Sequence, residues 1–218
     1  MSPARLLLVA NPTAQSGRNA ERIARAERLL GAAGGCEFLS TLPGGATIAA
    51  LRDVLAERRH EVVVSMGGDG TFREVAAGLL DSGRAEEVAL GMLPTGTAND
   101  QGRSFGLDAS DEALEANVAV VLAGRETRLD AGRLEAIEAD GTTVDVSWFF
   151  DSAGWGLSAR VLALRNRDRE KVANVPILRD LYRDQLVYAG ALVRTFLESY
   201  VTNDKFTVWA FEIGRAHV

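Results

Sequence analysis

The sequence predicts an α/β protein: a doubly wound parallel sheet in the N-terminal part, followed by an incomplete β-rich, sandwich-like second domain. Three observations predict it. Short apolar runs alternate with stretches of helical periodicity, the pattern of parallel strands joined by crossover helices. The runs are apolar at successive positions, as in Val62-Val63-Val64, which suits strands covered on both faces. Polar, glycine-rich loops follow the first, third and fourth runs, at the carboxyl ends of strands, where open α/β sheets bind ligands.

Arg5 to Ala10 reads as the first buried strand, and Pro12 in Asn11-Pro12-Thr13 turns the chain out of strand geometry. A helix is expected from Asn19 to Ala33, with Ile23, Ala26 and Leu30 on one face and Gly34-Gly35 as its stop. Cys36 to Thr41 is a second short strand. Thr47 is the expected N-cap of a helix carrying Ile48, Leu51 and Leu55 inward. Val62 to Met66 is the central strand. After its glycine turn, Phe72, Val75, Ala76, Leu79 and Leu80 recur at helical spacing. Val88 to Leu93 is the fourth strand, and Asp111 to Ala123 a further helix after the capping sequence Leu107-Asp108-Ala109-Ser110.

From Arg125 the pattern changes. Leu129 to Ala139 and Thr142 to Ala153 read as strands joined at Asp140-Gly141. In the second, Val144, Val146, Trp148 and Phe150 alternate with polar residues, a half-buried antiparallel pattern. Gly154-Trp155-Gly156 breaks it. An Arg-rich segment from Arg160 to Arg183, an apolar helix from Leu186 to Leu197 and a strand from Lys205 to Phe211 follow. The expected division is residues 1–127 as the α/β domain, 128–211 as a partial β-rich domain and 212–218 as a non-native tail. That tail, Glu212-Ile213-Gly214-Arg215-Ala216-His217-Val218, reads like a translated sequencing-adapter oligonucleotide, so the chain is expected to be cut short at its C-terminal side.

Composition narrows the function. The net charge of −6 argues against nucleic acid as a partner, which calls for a basic face. A single cysteine, Cys36, allows no internal disulfide and no thiolate metal cluster, and its apolar neighbours suggest a buried structural thiol. His60 is expected at a solvated helix end. Leu6 to Ala10 is too short for a signal-peptide core and no run reaches membrane-span length, so a cytoplasmic protein is expected, with room for peripheral contact at the inner membrane face.

The chemistry concentrates in Gly67-Gly68-Asp69-Gly70-Thr71, between strand and helix. Glycines there leave backbone N–H groups uncovered, and the positive end of the helix dipole behind them favours phosphate oxygens. Asp69 beside a phosphate is repulsive unless a divalent cation or a transferable proton lies between, which points to phosphoryl chemistry rather than docking. A plain turn does not require all five residues. The sequence contains no G-x-x-x-x-G-K-[ST], and Arg73 stands where the dinucleotide fingerprint needs glycine.

Val64-Ser65-Met66-Gly67-Gly68-Asp69-Gly70-Thr71, with Glu74-Val75 after it, resembles the nucleotide-binding signature of the diacylglycerol kinase catalytic domain family, which includes bacterial lipid kinases and is related to sphingosine and ceramide kinases. Two further blocks match: Asn11-Pro12 with Ser16-Gly17, and Pro94-Thr95-Gly96-Thr97-Ala98-Asn99-Asp100. The chain departs from the family pattern at Gln101, where an aromatic is usual, and at Gln15, where glycine is common. The resemblance implies an ATP- and magnesium-dependent lipid kinase, with diacylglycerol the leading acceptor. It implies that Gly67, Gly68, Gly70 and Thr71 hold the ATP phosphates, and that Asn11, Thr13 and Thr41 line the nucleotide. Thr97, Asn99 and Asp100 would close the site. Asp69 would be the catalytic residue, binding a magnesium-linked water or taking the acceptor's proton. Glu74 projects away from its helix's apolar face, toward the loop or toward solvent.

The lipid would be met at a membrane surface, and the resemblance leaves room for a homodimer. Trp148, Trp155 and Trp209 read as core before lipid contact, and the Arg160 to Arg183 segment reads equally as a headgroup-binding or a solvated surface. Two alternatives stand beside the lipid kinase: an NAD-kinase-like enzyme with a soluble acceptor, and a nucleotide-binding module without catalysis. The expected truncation predicts weak or absent turnover by the 218-residue chain itself.

Overall fold

The structure, a computed structural model, describes residues 5–13, 18–32, 34–138, 140–151 and 216–217. Four parallel strands form the main sheet: β1 (Leu6–Ala10), β2 (Cys36–Ser40), β3 (Val62–Gly67) and β4 (Ala89–Pro94), in the order β2-β1-β3-β4. The register is regular, with Leu8 opposite both Phe38 and Val64. Helices α1 (Arg18–Gly31), α2 (Thr47–Ala56), α3 (Asp69–Asp81), α4 (Asp100–Ser104) and α5 (Leu114–Leu122) fill the connections.

Alternation along the strands sorts the core into two layers. Leu6, Leu8, Ala10, Val64, Met66 and Leu93 pack with Ile23 and Leu30 of α1 and Leu114 and Val118 of α5. Leu7, Val9 and Val63 face the other way, onto Leu51 and Leu55 of α2 and Val75 and Leu79 of α3. Each fully buried leucine among them contributes about 1.5–3 kcal/mol relative to exposure. The doubly wound expectation therefore holds, because strands apolar at every position need a helical layer on each side.

A second, antiparallel sheet pairs β5 (Asp130–Ile137) with β6 (Thr143–Phe149), and β7 (Ala216–His217) with the start of β5. It meets α3 through aromatic and polar contacts. Phe72 takes Phe150 edge-on at 5.7 Å between ring centroids, and the Trp148 indole N–H donates to Asp81 at 3.1 Å. Contact density divides the chain into Met1–Asp151 with Ile213–Val218, and Ser152–Glu212. The expected Gly154-Trp155-Gly156 break, the Arg160 to Arg183 segment, the Leu186 to Leu197 helix, the Lys205 to Phe211 strand, Trp155 and Trp209 lie outside the described residues.

Several local expectations need correction. Thr47 does not cap α2; its hydroxyl accepts from the Leu42 N–H at 3.0 Å and closes the turn at Pro43–Gly45 instead. His60 is buried, not solvated, with Nε2 3.2 Å from the Glu37 carboxylate. Cys36 is half-buried rather than enclosed, yet burial still pushes its thiol up to about 11. Helix α5 starts at Leu114 because residues ahead of it are spent on turns: Asp108 accepts from the Ser110 N–H at 2.6 Å. On β6, Val144 and Val146 are exposed, and Ser147 to Phe150 are all half-buried, so the expected in-and-out alternation does not form.

Candidate functional site

In the order β2-β1-β3-β4 the chain leaves β1 toward one edge and returns to its other side as β3. That reversal is the topological switch point, where open α/β sheets place a ligand crevice beyond the carboxyl ends of the strands. Asn11 and Thr13 follow β1, and Gly67 to Thr71 span the end of β3 and the start of α3. Thr41 follows β2 and the Thr95–Asp100 stretch follows β4. Every nucleotide-binding residue expected from the sequence falls on this one edge of the sheet or, for Glu74, within the first two turns of α3.

Gly68 sits extended (φ −93°, ψ −170°) as N-cap of α3, and no side chain caps the helix. The first helical bond runs from the Phe72 N–H to the Gly68 carbonyl at 3.0 Å. The N–H groups of Asp69, Gly70 and Thr71 therefore have no partner within the helix, at the positive end of its dipole. The glycines differ in why they are needed. A Cβ at Gly67 would press on the Thr71 side chain, whose Cγ2 would be 2.9 Å away. One at Gly68 would lie 3.2 Å from the Gly96 Cα. One at Gly70 would meet nothing within 4 Å, and its backbone is ordinary helix, so neither packing nor strain asks for glycine there.

The β4 loop lies against this turn. The Thr95 N–H donates to the Gly67 carbonyl at 2.8 Å, extending the ladder one step beyond the strand. Asn99 is buried and left-handed (φ 53°, ψ 43°). Its Oδ1 accepts from the Gly96 N–H at 2.8 Å, and its Nδ2 donates to the Gly96 carbonyl at 2.6 Å. Asp69 reaches across to the same loop, its Oδ1 accepting from the Gln101 N–H at 3.0 Å. The sequence offered no α4 and no such bond. The only signal was Asn99-Asp100, a pair that tolerates αL and then begins a helix.

On the other side of the crevice, Asn11 forms a tight turn, its Oδ1 accepting from the Thr13 N–H at 2.9 Å and the Thr13 hydroxyl at 2.8 Å. The Asn11 carbonyl takes the Nδ2 of buried Asn19 at 2.7 Å, which ties the β1 loop to α1. The Thr41 N–H donates to the Ala10 carbonyl at 2.9 Å, holding the β2 end in line. Thr97 is exposed, and Asp100 pairs with Arg103 at 3.1 Å. The Glu74 carboxylate makes no hydrogen bond to the loop among the described residues, which corresponds to the solvent-facing of the two directions open to it.

Among the described residues no three acidic, histidine or cysteine side chains cluster as a metal cage. The donor set present is a lone carboxylate, Asp69, whose Oδ2 carries no hydrogen bond among those residues. Magnesium suits such a setting, since it keeps several waters and takes one or two carboxylates with substrate phosphates. Among the described residues no helix is long and apolar enough to cross a membrane.

The sequence model of the diacylglycerol kinase catalytic domain matches residues 5–134, more than half of the chain. No curated protein matches. Solved structures similar to it include three of proteins from Bacillus anthracis strain Sterne described as diacylglycerol kinases, two of them provisionally. Each is 24% identical over 59% of this chain, with a TM-score of 0.49. The matched region covers 42% of the first of those chains and 43% of the other two, so this chain accounts for less than half of their length.

Proposed function

Because the chain belongs to the diacylglycerol kinase catalytic domain family, we propose that it is the nucleotide-binding part of an ATP-dependent lipid kinase that phosphorylates a lipid hydroxyl, diacylglycerol first among the acceptors. The observation that carries this reading is Gly70. A glycine with ordinary backbone and open space in front of it has no structural use, but it lets a ligand approach the first-turn amides of α3 closely. The free N–H groups of Asp69, Gly70 and Thr71 would take phosphate oxygens, with Asn11, Thr13 and Thr41 across the crevice and Thr97 and Asp100 beside it.

Phosphoryl transfer needs mainly positioning and charge neutralisation. Bound magnesium would be held by Asp69 and would neutralise the transferring phosphate. Asp69 itself supplies a carboxylate whose orientation the Gln101 amide fixes, with Oδ2 left to accept a proton from the attacking hydroxyl or to hold a water. The acceptor lipid would be met at a membrane surface, peripherally.

The test is transfer of radiolabelled phosphate from ATP by the protein made from its whole gene. Diacylglycerol, sphingosine, ceramide and NAD are offered separately. Labelled phosphatidic acid is the expected product. Labelled NADP with no labelled lipid would replace the reading with the soluble-acceptor one, and binding of ATP with no transfer to any acceptor would leave a nucleotide-binding module.

A further inference from the structure

The residue whose place departs most from its expected role is Asn99. As a member of the Thr97-Asn99-Asp100 group it is expected to touch nucleotide. Its side chain is instead committed, both ends at once, to the backbone of Gly96, and the residue is buried. A primary amide has one carbonyl and two N–H groups, so the two short bonds leave only one N–H and one lone-pair direction for anything else.

The turn that the clamp holds packs closely on the Gly68 backbone. A Cβ on Gly96 would stand 3.0 Å from the Gly68 nitrogen and 2.9 Å from the Asn99 Oδ1, so the two loops touch backbone to backbone with no room for a side chain. Two residues beyond Asn99, the Gln101 N–H reaches the Asp69 Oδ1. The left-handed turn at Asn99 is what redirects the chain from Gly96 into α4 and brings that amide round. Asn, with a short polar side chain that bonds locally, is the non-glycine residue best suited to that conformation.

We propose that Asn99 is a positioning residue rather than a nucleotide ligand: by fixing the shape of the Gly96–Asn99 turn, which packs on Gly68, it sets the Gln101 amide on Asp69 and so orients the carboxylate. The clamp follows from the geometry alone; its value for catalysis rests on the kinase reading above.

Amide hydrogen exchange in the nucleotide-free protein tests the two parts separately. In the unmodified chain the Gly96 and Gln101 amides should both exchange slowly, and a fast Gly96 amide would overturn the clamp without any substitution. Asn99→Gly permits the same backbone turn while removing both side-chain bonds. It should speed exchange at Gln101 by about tenfold or more while the unfolding midpoint moves little. Unchanged Gln101 exchange in that variant would overturn the proposal. Asp69→Ala removes only the acceptor, and should release the Gln101 amide while Gly96 stays protected; release of both, or of neither, also overturns it.

In the protein made from the whole gene, Asn99→Gly should lower kcat with the KM for ATP held within about twofold. A raised KM with unchanged kcat would make Asn99 a nucleotide ligand after all. If no phosphate transfer is found in the unmodified protein, the kinase reading fails while the exchange results still decide the clamp.

Discussion

Asp69 opens α3, yet its Oδ1 is bound 32 residues downstream, to the Gln101 N–H at 3.0 Å. That bond crosses between two loops from neighbouring strands, β3 and β4, whose ladder continues past its end through Thr95 and Gly67. A half-exposed carboxylate at a helix N-terminus is ordinarily free to swing. Here one oxygen is fixed by a backbone donor, which limits how the carboxylate can turn.

Asp69→Asn separates geometry from charge. The asparagine carbonyl can still accept from the Gln101 N–H, so the unfolding midpoint should fall by less than the equivalent of about 1 kcal/mol. Phosphate transfer should fall by about a thousandfold, roughly 4 kcal/mol of transition-state stabilisation. Turnover and thermal unfolding measured on the same sample check both; transfer within tenfold of the parent would remove the charge from the mechanism.

Gly96→Ala probes the loop contact. The added Cβ meets the Gly68 backbone, which cannot move without shifting the amides at the head of α3. Overpacking of this kind costs about 1–3 kcal/mol, and here the displacement falls on the phosphate-facing turn. Denaturant unfolding should show the loss, and titration with an ATP analogue should show weaker binding. Gly70→Ala should leave stability nearly unchanged and weaken the nucleotide, since its Cβ enters open space.

The sheet, its two helical layers and the sheet edge that carries the crevice were legible because each rests on periodicity or on a residue type with a single job. Leu6 to Ala10 alternates between two apolar faces, and Gly67 to Thr71 can hardly serve as anything but a turn into a helix. What was not legible depends on contacts between distant segments. Nothing local in Arg58-Arg59-His60 says that Glu37, on β2, will sit over the imidazole. Nothing in Thr47 says that the turn before it will claim its hydroxyl first. The Asp69–Gln101 bond is the same kind of fact. A backbone N–H carries no side-chain signature, so its partner appears only once the loops are brought together.

Arg84 fastens the end of α3 to the end of α2, and it does so almost out of water. Its Nη1 donates to the Leu55 carbonyl at 3.1 Å and its Nε to Glu87 at 3.1 Å. Arg84→Met keeps the buried stem and drops both bonds, leaving the Leu55 carbonyl with the Arg58 N–H as its donor, a loss of about 0.5–1.5 kcal/mol. The bond from Arg84, with the nearby Arg58 charge, holds the Glu87 carboxyl below its ordinary value. A group whose folded value is depressed contributes stability above its unfolded value and loses it as pH falls through the folded one. Unfolding by urea at pH 7 and at pH 3 should therefore show a smaller acid-induced loss in Arg84→Met than in the parent. An equal loss in both would sever Glu87 from that pair.

Ser65 lies in the middle of β3, 1% exposed, with an Oγ that has no hydrogen-bond partner among the described residues. By alternation it shares the α2 and α3 side of the sheet with Val63 and Gly67, among Leu51, Val75 and Leu79. An unsatisfied hydroxyl in such a layer is worth about 1–3 kcal/mol of desolvation with no return. The cavity left by removing one oxygen is small, so its penalty is the lesser effect. Ser65→Ala should accordingly be neutral or raise stability by up to about 1 kcal/mol, read as a higher urea midpoint at an unchanged m-value. A clear drop in midpoint would show that the hydroxyl is satisfied in solution, and that β3 carries a polar contact just ahead of Gly67.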